Sequence, residues 1–386
     1  MVLHHKRVAA AALAATLTAM LGACGGSSGD SGGTAAAGAP ESAAAAEALA
    51  TAYAGVLGTP PTVPTTPKAG VNLWVVSCGQ QIPSCATPVA GVEEAAKLVG
   101  WTVKTCDGQL NPTGWGTCIR QATSAKADVI VPIGIDCISV KAPFAEAKAA
   151  GVKIVGGGGA DCDAAGEQKL MASERLQLAD TSIKDYWKLN GKLQADWLIG
   201  KTGGAAKVLL VNFTDPIWGP WITEGFKAEL TTCPGCEIIA TLDVANNDFV
   251  SNTAATKFST ALLQVPTADA ISIPVGGWMS AGLSQAIVSS GRLAKLSVVT
   301  GFGDASNMDL IRENKGQGAV LGYATQWGAY GSVDTAIRVM NGEQPVVEGD
   351  GFQIVDAEHN LPAAGADYAG SVDYKAAYRK LWGLAG

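Results

Sequence analysis

From residue 71 onward, short apolar runs alternate with stretches whose apolar residues recur at helical spacing. Residues 71–77, 101–105, 128–133 and 152–155 read as buried strands. Between them, 89–99, 115–127 and 142–150 carry helical periodicity, the last stopped by Gly151. The pattern resumes with helices over 191–199, 221–230, 254–263, 281–289, 308–314 and 332–340. Strands over 208–211, 237–242, 270–273, 296–300 and 319–321 fall between them. Such alternation implies right-handed βαβ units and parallel sheets. There are too many strands for one comfortable sheet, so the pattern predicts an α/β fold of two doubly wound parallel-sheet lobes. Ligands of such sheets bind beyond the carboxyl ends of the strands, and two lobes can turn those ends toward one cleft.

The first 70 residues follow a different logic. His4, His5, Lys6 and Arg7 make a polar, basic start, and residues 8–20 are apolar but too few for a confident membrane span. Leu21, Gly22, Ala23 and Cys24 resemble a bacterial lipobox. Residues 1–23 then read as a lipoprotein signal peptide and Cys24 as the lipidated residue. The competing reading is an ordinary signal peptide cut before a cysteine. Residues 24–70 read as a lipid-anchored flexible tether: a Gly/Ser/Ala stretch, a short helix over 41–57 carrying Leu49, Tyr53 and Leu57, and a proline-rich spacer over 59–67. That helix could serve as a partner-binding arm, whereas burial of its three apolar residues on the body would give it a structural role. No later stretch reaches 18 apolar residues, which predicts an extracytoplasmic protein held on the outer face of the cell membrane by lipid.

Composition narrows the function classes. The net charge is −7 and no Lys/Arg-rich run occurs, which argues against nucleic-acid partners. Of three histidines, two lie in the leader, leaving His359 alone in the body. There is no Gly-x-Ser-x-Gly and no cluster of metal-ligand residues, so the expectation is no enzyme, no cofactor and no metal. Eight cysteines remain beyond Cys24: Cys78, Cys85, Cys106, Cys118, Cys137, Cys162, Cys233 and Cys236. An even number in an exported chain suggests disulfides, but eight cysteines allow 105 pairings. Sequence neighbours are the natural guess: Cys78 with Cys85, Cys106 with Cys118, Cys137 with Cys162, and Cys233 with Cys236. The CxxC of Cys233 and Cys236 follows a helical segment and precedes a strand. It therefore reads as a turn clip rather than a redox site, which favours a helix N-terminus.

Several phrases, in order, resemble the type I periplasmic binding proteins, the ribose-binding-like solute receptors of ABC importers. They are Val76-Ser77, residues 107–112 (DGQLNP), 127–136 (ADVIVPIGID), 146–152 (EAKAAGV), 224–227 (EGFK) and 301–304 (GFGD). The resemblance implies two lobes joined by three crossing strands, near 182–186, 324–327 and 346–350. It divides the body into 71–182 plus 326–347 and 183–325 plus 348–386. It further implies a hinge that closes on a ligand, a permease and ATPase as partners, and a monomer. A receptor of the same fold that signals to a membrane sensor is the alternative.

The expected pocket departs from the family's sugar pattern. Ser77 and Asp304 match, although Gly303 is inserted, and Gln326 sits beside the usual Gln, which falls on Thr325. Gly156 to Gly159 replace an Asp-Arg pair for which Asp161 can compensate, Ile222 replaces an Arg, and Gly276-Gly277 replace Asn-Asp. Trp218, Trp221, Trp278 and Trp327 fall in loops expected to face the cleft, where aromatic faces stack on rings or cations. With Gln80, Gln81 and Asp136 they complete the candidate site. Fewer charges and more bare backbone predict a small, largely neutral ligand, either sugar-like or bearing an apolar or aromatic face.

Overall fold

The computed structural model describes residues 42–384; the leader and Cys24 lie outside them. The chain order begins with α1 (Ala43–Ala54), β1 (Asn72–Ser77), α2 (Pro83–Leu98), β2 (Thr102–Asp107), α3 (Pro112–Ser124), β3 (Val129–Pro132), α4 (Lys141–Ala149) and β4 (Lys153–Ile154). It continues with α5 (Ile183–Lys201), β5 (Lys207–Phe213), α6 (Trp218–Leu230), β6 (Glu237–Val244), α7 (Asn246–Val250), α8 (Ala254–Gln264) and β7 (Ala270–Ile273). The last elements are α9 (Ser284–Ser289), β8 (Ser297–Thr300), α10 (Ala305–Arg312), β9 (Ala319–Tyr323), α11 (Thr325–Asn341), β10 (Phe352–Asp356) and α12 (Tyr374–Leu381).

Two sheets result. The first lobe has strand order β2-β1-β3-β4, all parallel. The second has β10-β9-β8-β7-β5-β6, parallel except for the antiparallel β9–β10 pair. Strands β1, β3, β7 and β9 are wholly or almost wholly buried, which is why they read as unbroken apolar runs. Helices α2, α3, α5, α6, α10 and α11 start three to eight residues earlier than periodicity predicted. Pro83 opens α2, and Asn111 caps α3 by accepting from Gly114 N at 2.8 Å ahead of Pro112.

The connections between the lobes differ in detail from expectation. Residues 182–186 are the cap and first turn of α5, not a crossing strand. The first crossing lies just before, where Leu176 O and Gln177 O accept from Glu348 N and Gly349 N of the return crossing. Residues 324–327 are the entry into α11, whose buried side packs in the first lobe's core. Strand β10 adds to the second sheet, but α12 leaves that lobe: Tyr374, Tyr378, Leu381 and Trp382 pack with Tyr330 and Val333 of α11. The assignment of all of 348–386 to the second lobe is corrected accordingly. Tyr374, Tyr378 and Leu381 recur at i, i+4 and i+7, so this helix was readable from the sequence.

The tether expected over 24–70 is also corrected where it is described. Helix α1 packs on the second lobe through Ala45, Leu49, Ala52 and Tyr53. The Tyr53 hydroxyl donates to Asp356 at 2.5 Å, and its ring stacks on His359 with centroids 3.7 Å apart. This gives the body's single histidine a structural post. Val56 then pairs with Phe352, and Gly58 N donates to Gly349 O. The backbones meet so closely that a Cβ on Gly351 would lie 1.9 Å from Val56 O. Farther on, Arg338 donates to Val63 O, and Trp101 Nε1 donates to Lys68 O at 2.7 Å. The arm is thus bonded to both lobes, and α1 is structural.

All four neighbouring cysteine pairs are bonded: Cys78–Cys85, Cys106–Cys118, Cys137–Cys162 and Cys233–Cys236. Cys233 and Cys236 clip the turn between α6 and β6. Cys106 near the end of β2 is tied to Cys118 in the middle of α3, so this bridge holds an edge strand to the helix that follows it. The other two bear on function. Cys78–Cys85 ties the end of β1 to the first turn of α2, and Cys137–Cys162 ties the loop after β3 to the turn after β4.

Candidate functional site

A cavity of about 540 Å³ lies between the lobes, beyond the carboxyl ends of β1, β3, β5, β7 and β8. The first lobe contributes Ile82, Ser84, Asn111, Trp115, Asp136 and the Cys78–Cys85 bridge. The second contributes Trp187, Phe213, Asp215, Trp218, Trp278 and Phe302.

The second-lobe wall is an aromatic cluster. Trp187 and Trp218 stack with centroids 5.0 Å apart, and Phe302 meets both edge-on at 5.7 Å. Phe213 stands edge-on to Trp218 at 5.3 Å and to Trp278 at 4.8 Å, and Phe249 leans on Trp278 at 4.7 Å. Edge-to-face and offset pairs of this kind lock one another's rotamers and keep the wall rigid.

Among the described residues, Arg175 is the only cationic side chain lining the cavity, and it is already spent on the protein. Its Nε donates to Glu348 Oε2 at 2.7 Å, Nη2 to Asp350 Oδ2 at 2.6 Å, and Nη1 to the Tyr323 hydroxyl at 2.7 Å. The charged members of this cluster are all buried, with Arg175 5% exposed. Burial pushes the Glu348 carboxyl up to about 7 against the pull of the guanidinium. Gly328 of α11 makes room for this fork, since a Cβ there would lie 2.4 Å from Nη2.

Asp136 sits in the loop after β3, 3% exposed. Its Oδ1 accepts from Ala160 N at 2.9 Å in its own lobe, and its Oδ2 accepts from Ile217 N at 2.8 Å in the other. Burial raises its carboxyl to about 6; the two N–H donors oppose the rise and the nearby Glu174 adds to it. A second contact between the lobes is steric: Gly277, buried in a turn after β7, faces Ile82 and Ser84 of the other lobe.

Of the sequence-predicted ligand contacts, Asp136, Trp218 and Trp278 line the cavity. The others lie elsewhere. Ser77 is buried at the end of β1 and accepts from Gly79 N. Gln80 and Gln81 are exposed on the loop that follows. Asp161 turns inward, its Oδ1 accepting from the backbone N–H groups of Cys162, Leu170 and Met171. Trp221 lies half-buried against the second core, and Gly276 is buried in the turn before Trp278. Asp304 caps α10, with Oδ1 accepting from Ser306 N at 2.8 Å. Gln326 accepts from the Tyr374 hydroxyl, and its neighbour Thr325, at the family's Gln position, takes the cavity wall. Trp327 belongs to the first core: it is 2% exposed, donates to Glu348 O and stacks on Tyr374. Of the eight bridged cysteines, Cys78 and Cys85 reach the cavity. Cys106 and Cys118 do not: their bridge packs at the core beneath β1 and α3, with the Cys118 side chain buried against Asp107 O and Cys106 partly covered beside Gln121. Their role is to staple the first lobe and not to meet the ligand. Sequence reasoning missed Arg175, Trp187 and Phe302. Phe302 sits two residues before Asp304 in a phrase already singled out, so that signal was present.

Similarity to known proteins decides the family. The "Periplasmic binding protein domain" family matches residues 75–344. The chain belongs to this family. No curated protein sequence matches it. Solved structures share the fold. An ABC transporter solute-binding protein from Agrobacterium vitis, bound to α-D-tagatopyranose, is 20% identical with a TM-score of 0.64, covering 78% of this chain and 100% of its own. One from Burkholderia graminis, in complex with D-arabinose, is 14% identical with a TM-score of 0.63, covering 76% and 98%. The 5-methylthioribose transporter solute-binding protein from Thermotoga lettingae, with its ligand, is 15% identical with a TM-score of 0.62, covering 80% and 99%. These solved structures are of ABC transporter solute-binding proteins, and at this identity they show that the chain shares their fold. No helix among the described residues is long and apolar enough to cross a membrane.

Proposed function

We propose that the protein is an extracytoplasmic solute-binding lipoprotein. In this reading it is anchored through Cys24, captures a small neutral ligand between its lobes and delivers it to the permease of an ABC importer. The observation that carries this reading is the cavity itself: it is walled from both lobes, and the one cation among its described lining residues is saturated by two carboxylates. An anionic solute would meet Asp136 and Asp215 with no free cation in that lining to offset them. A neutral solute with one flat or apolar face matches the aromatic wall, and hydroxyls or amides on its other face match Ser84, Asn111 and Thr325. The bound sugars of the solved relatives are consistent with such a ligand, and 5-methylthioribose combines a polar ring with an apolar end.

A thermal-shift screen of the oxidised chain, lacking its lipid, tests the reading. The compounds are neutral sugars and polyols, aryl and alkyl glycosides, aromatic acids and phosphorylated sugars. A ligand at a hundred times its Kd stabilises the folded state by about 2.7 kcal/mol. Only neutral compounds are expected to raise the melting temperature, by several degrees. Stabilisation confined to the acids or phosphates would overturn the proposed ligand class.

A further inference from the structure

Asp136 was expected to touch the ligand, and it does line the cavity. Its two oxygens are nevertheless both engaged by backbone donors, one from each lobe. The Ile217 N–H lies in the turn that leads into α6, where the first amides of a helix have no partner within the helix. A carboxylate placed there satisfies one of them and favours the positive end of the helix dipole. On the first-lobe side, the loop that carries Asp136 is fixed by the adjacent Cys137–Cys162 bridge and by Cys137 N donating to Ala160 O. The acceptor is therefore mounted rigidly on one lobe and the donor on the other. When the lobes separate, the bond between them must break.

We propose that Asp136 is a latch between the lobes: through Ile217 N–H it holds part of the ligand-free population closed. It is a positioning residue for closure and not a contact that selects the ligand. It acts without any ligand bound, so it goes beyond the reading of the solute and can be tested apart from it.

The test uses the ligand-free, oxidised chain with Asp136→Ala, Ile217→Pro and both together. Ile217 has φ −61°, which proline adopts, so that variant removes the donor while leaving the carboxylate in place. A hydrogen bond to a charged group is worth enough to change the closed-to-open ratio about tenfold or more. Small-angle X-ray scattering should show the same rise in radius of gyration for both single variants, with no further rise in the double variant. Amide exchange by mass spectrometry over residues 214–219 gives a second readout. Asp136→Ala should exchange the Ile217 amide at least tenfold faster than the unmodified chain. A radius unchanged by Asp136→Ala, effects that add in the double variant, or an Ile217 amide equally fast with and without Asp136 would each overturn the latch. If Asp136 were instead a ligand contact, Ile217→Pro would leave ligand affinity intact while Asp136→Ala abolished it.

Discussion

Arg175→Met is expected to cost about 3–5 kcal/mol of folding stability, because it leaves Glu348 and Asp350 buried without their cation. No other side-chain change at the cleft should cost as much. The guanidinium satisfies three acceptors, drawn from the crossing at 348–350 and the end of β9. Arg175→Lys should recover little, since a single ammonium does not reproduce the planar fork. Urea unfolding reads the loss as a lower midpoint at unchanged slope. The pH dependence gives a sign to check. Burial already raises the Glu348 carboxyl to about 7 with the cation present. Without the cation the Glu348 carboxyl is raised further in the folded state, so the folded chain takes up this proton at a higher pH than before. The deficit of Arg175→Met should therefore be largest in mildly alkaline solution and shrink as pH falls toward about 7, where Glu348 takes its proton with the cation present as well. A loss below about 1 kcal/mol, or a deficit that grows on acidification, would contradict this account of the cluster.

Gly277→Phe is expected to weaken ligand binding by a factor of about 5 to 150 while leaving the ligand-free fold intact. A Cβ at this position would already lie 3.3 Å from Ile82 Cγ2 and 3.4 Å from Ser84 Oγ. Both belong to the opposite lobe, so a phenyl ring there props the cleft open. Overpacking of this kind costs about 1–3 kcal/mol, and it is felt only when the lobes meet. Since the closed form touches the solute from both sides, the cost appears in affinity. Calorimetric titration with a compound found in the screen measures it, and the melting temperature without ligand checks the fold. Gly277→Ala, which asks its neighbours for only a few tenths of an ångström, should stay close to the original affinity. Equal affinity for Gly277→Phe and the unmodified chain would mean that the lobes do not meet here in the bound state.

The lobes, their parallel sheets and most helices were legible because buried strands are continuous apolar runs and helices carry their own period. The site was legible only in part. Asp136, Trp218 and Trp278 were found because they lie just beyond strand ends, where the topology directs ligands. Arg175 lies in a stretch with no periodicity, and its partners are 173 and 175 residues away, so no local signal marks the cluster. Trp187 occupies the first turns of α5, where an aromatic reads equally well as core. Trp327 was misplaced for the converse reason. It follows the end of a strand, yet α11 starts at Thr325, and the helix turns its ring onto Tyr374 from α12. Asp304 and Asp161 show a third cause: a carboxylate in a loop near a cleft serves backbone N–H groups as readily as a ligand. The arm was read as flexible because Gly, Ala and Pro dominate it, whereas the glycines are what let its backbone meet the second lobe.

The central claim is that two lobes close on a neutral solute. Small-angle scattering of the oxidised chain, with and without a saturating neutral compound from the screen, tests it most directly. The account predicts that the radius of gyration falls on binding to the value calculated for the closed cleft described above. Tight binding of a neutral solute with no contraction would contradict closure between the lobes.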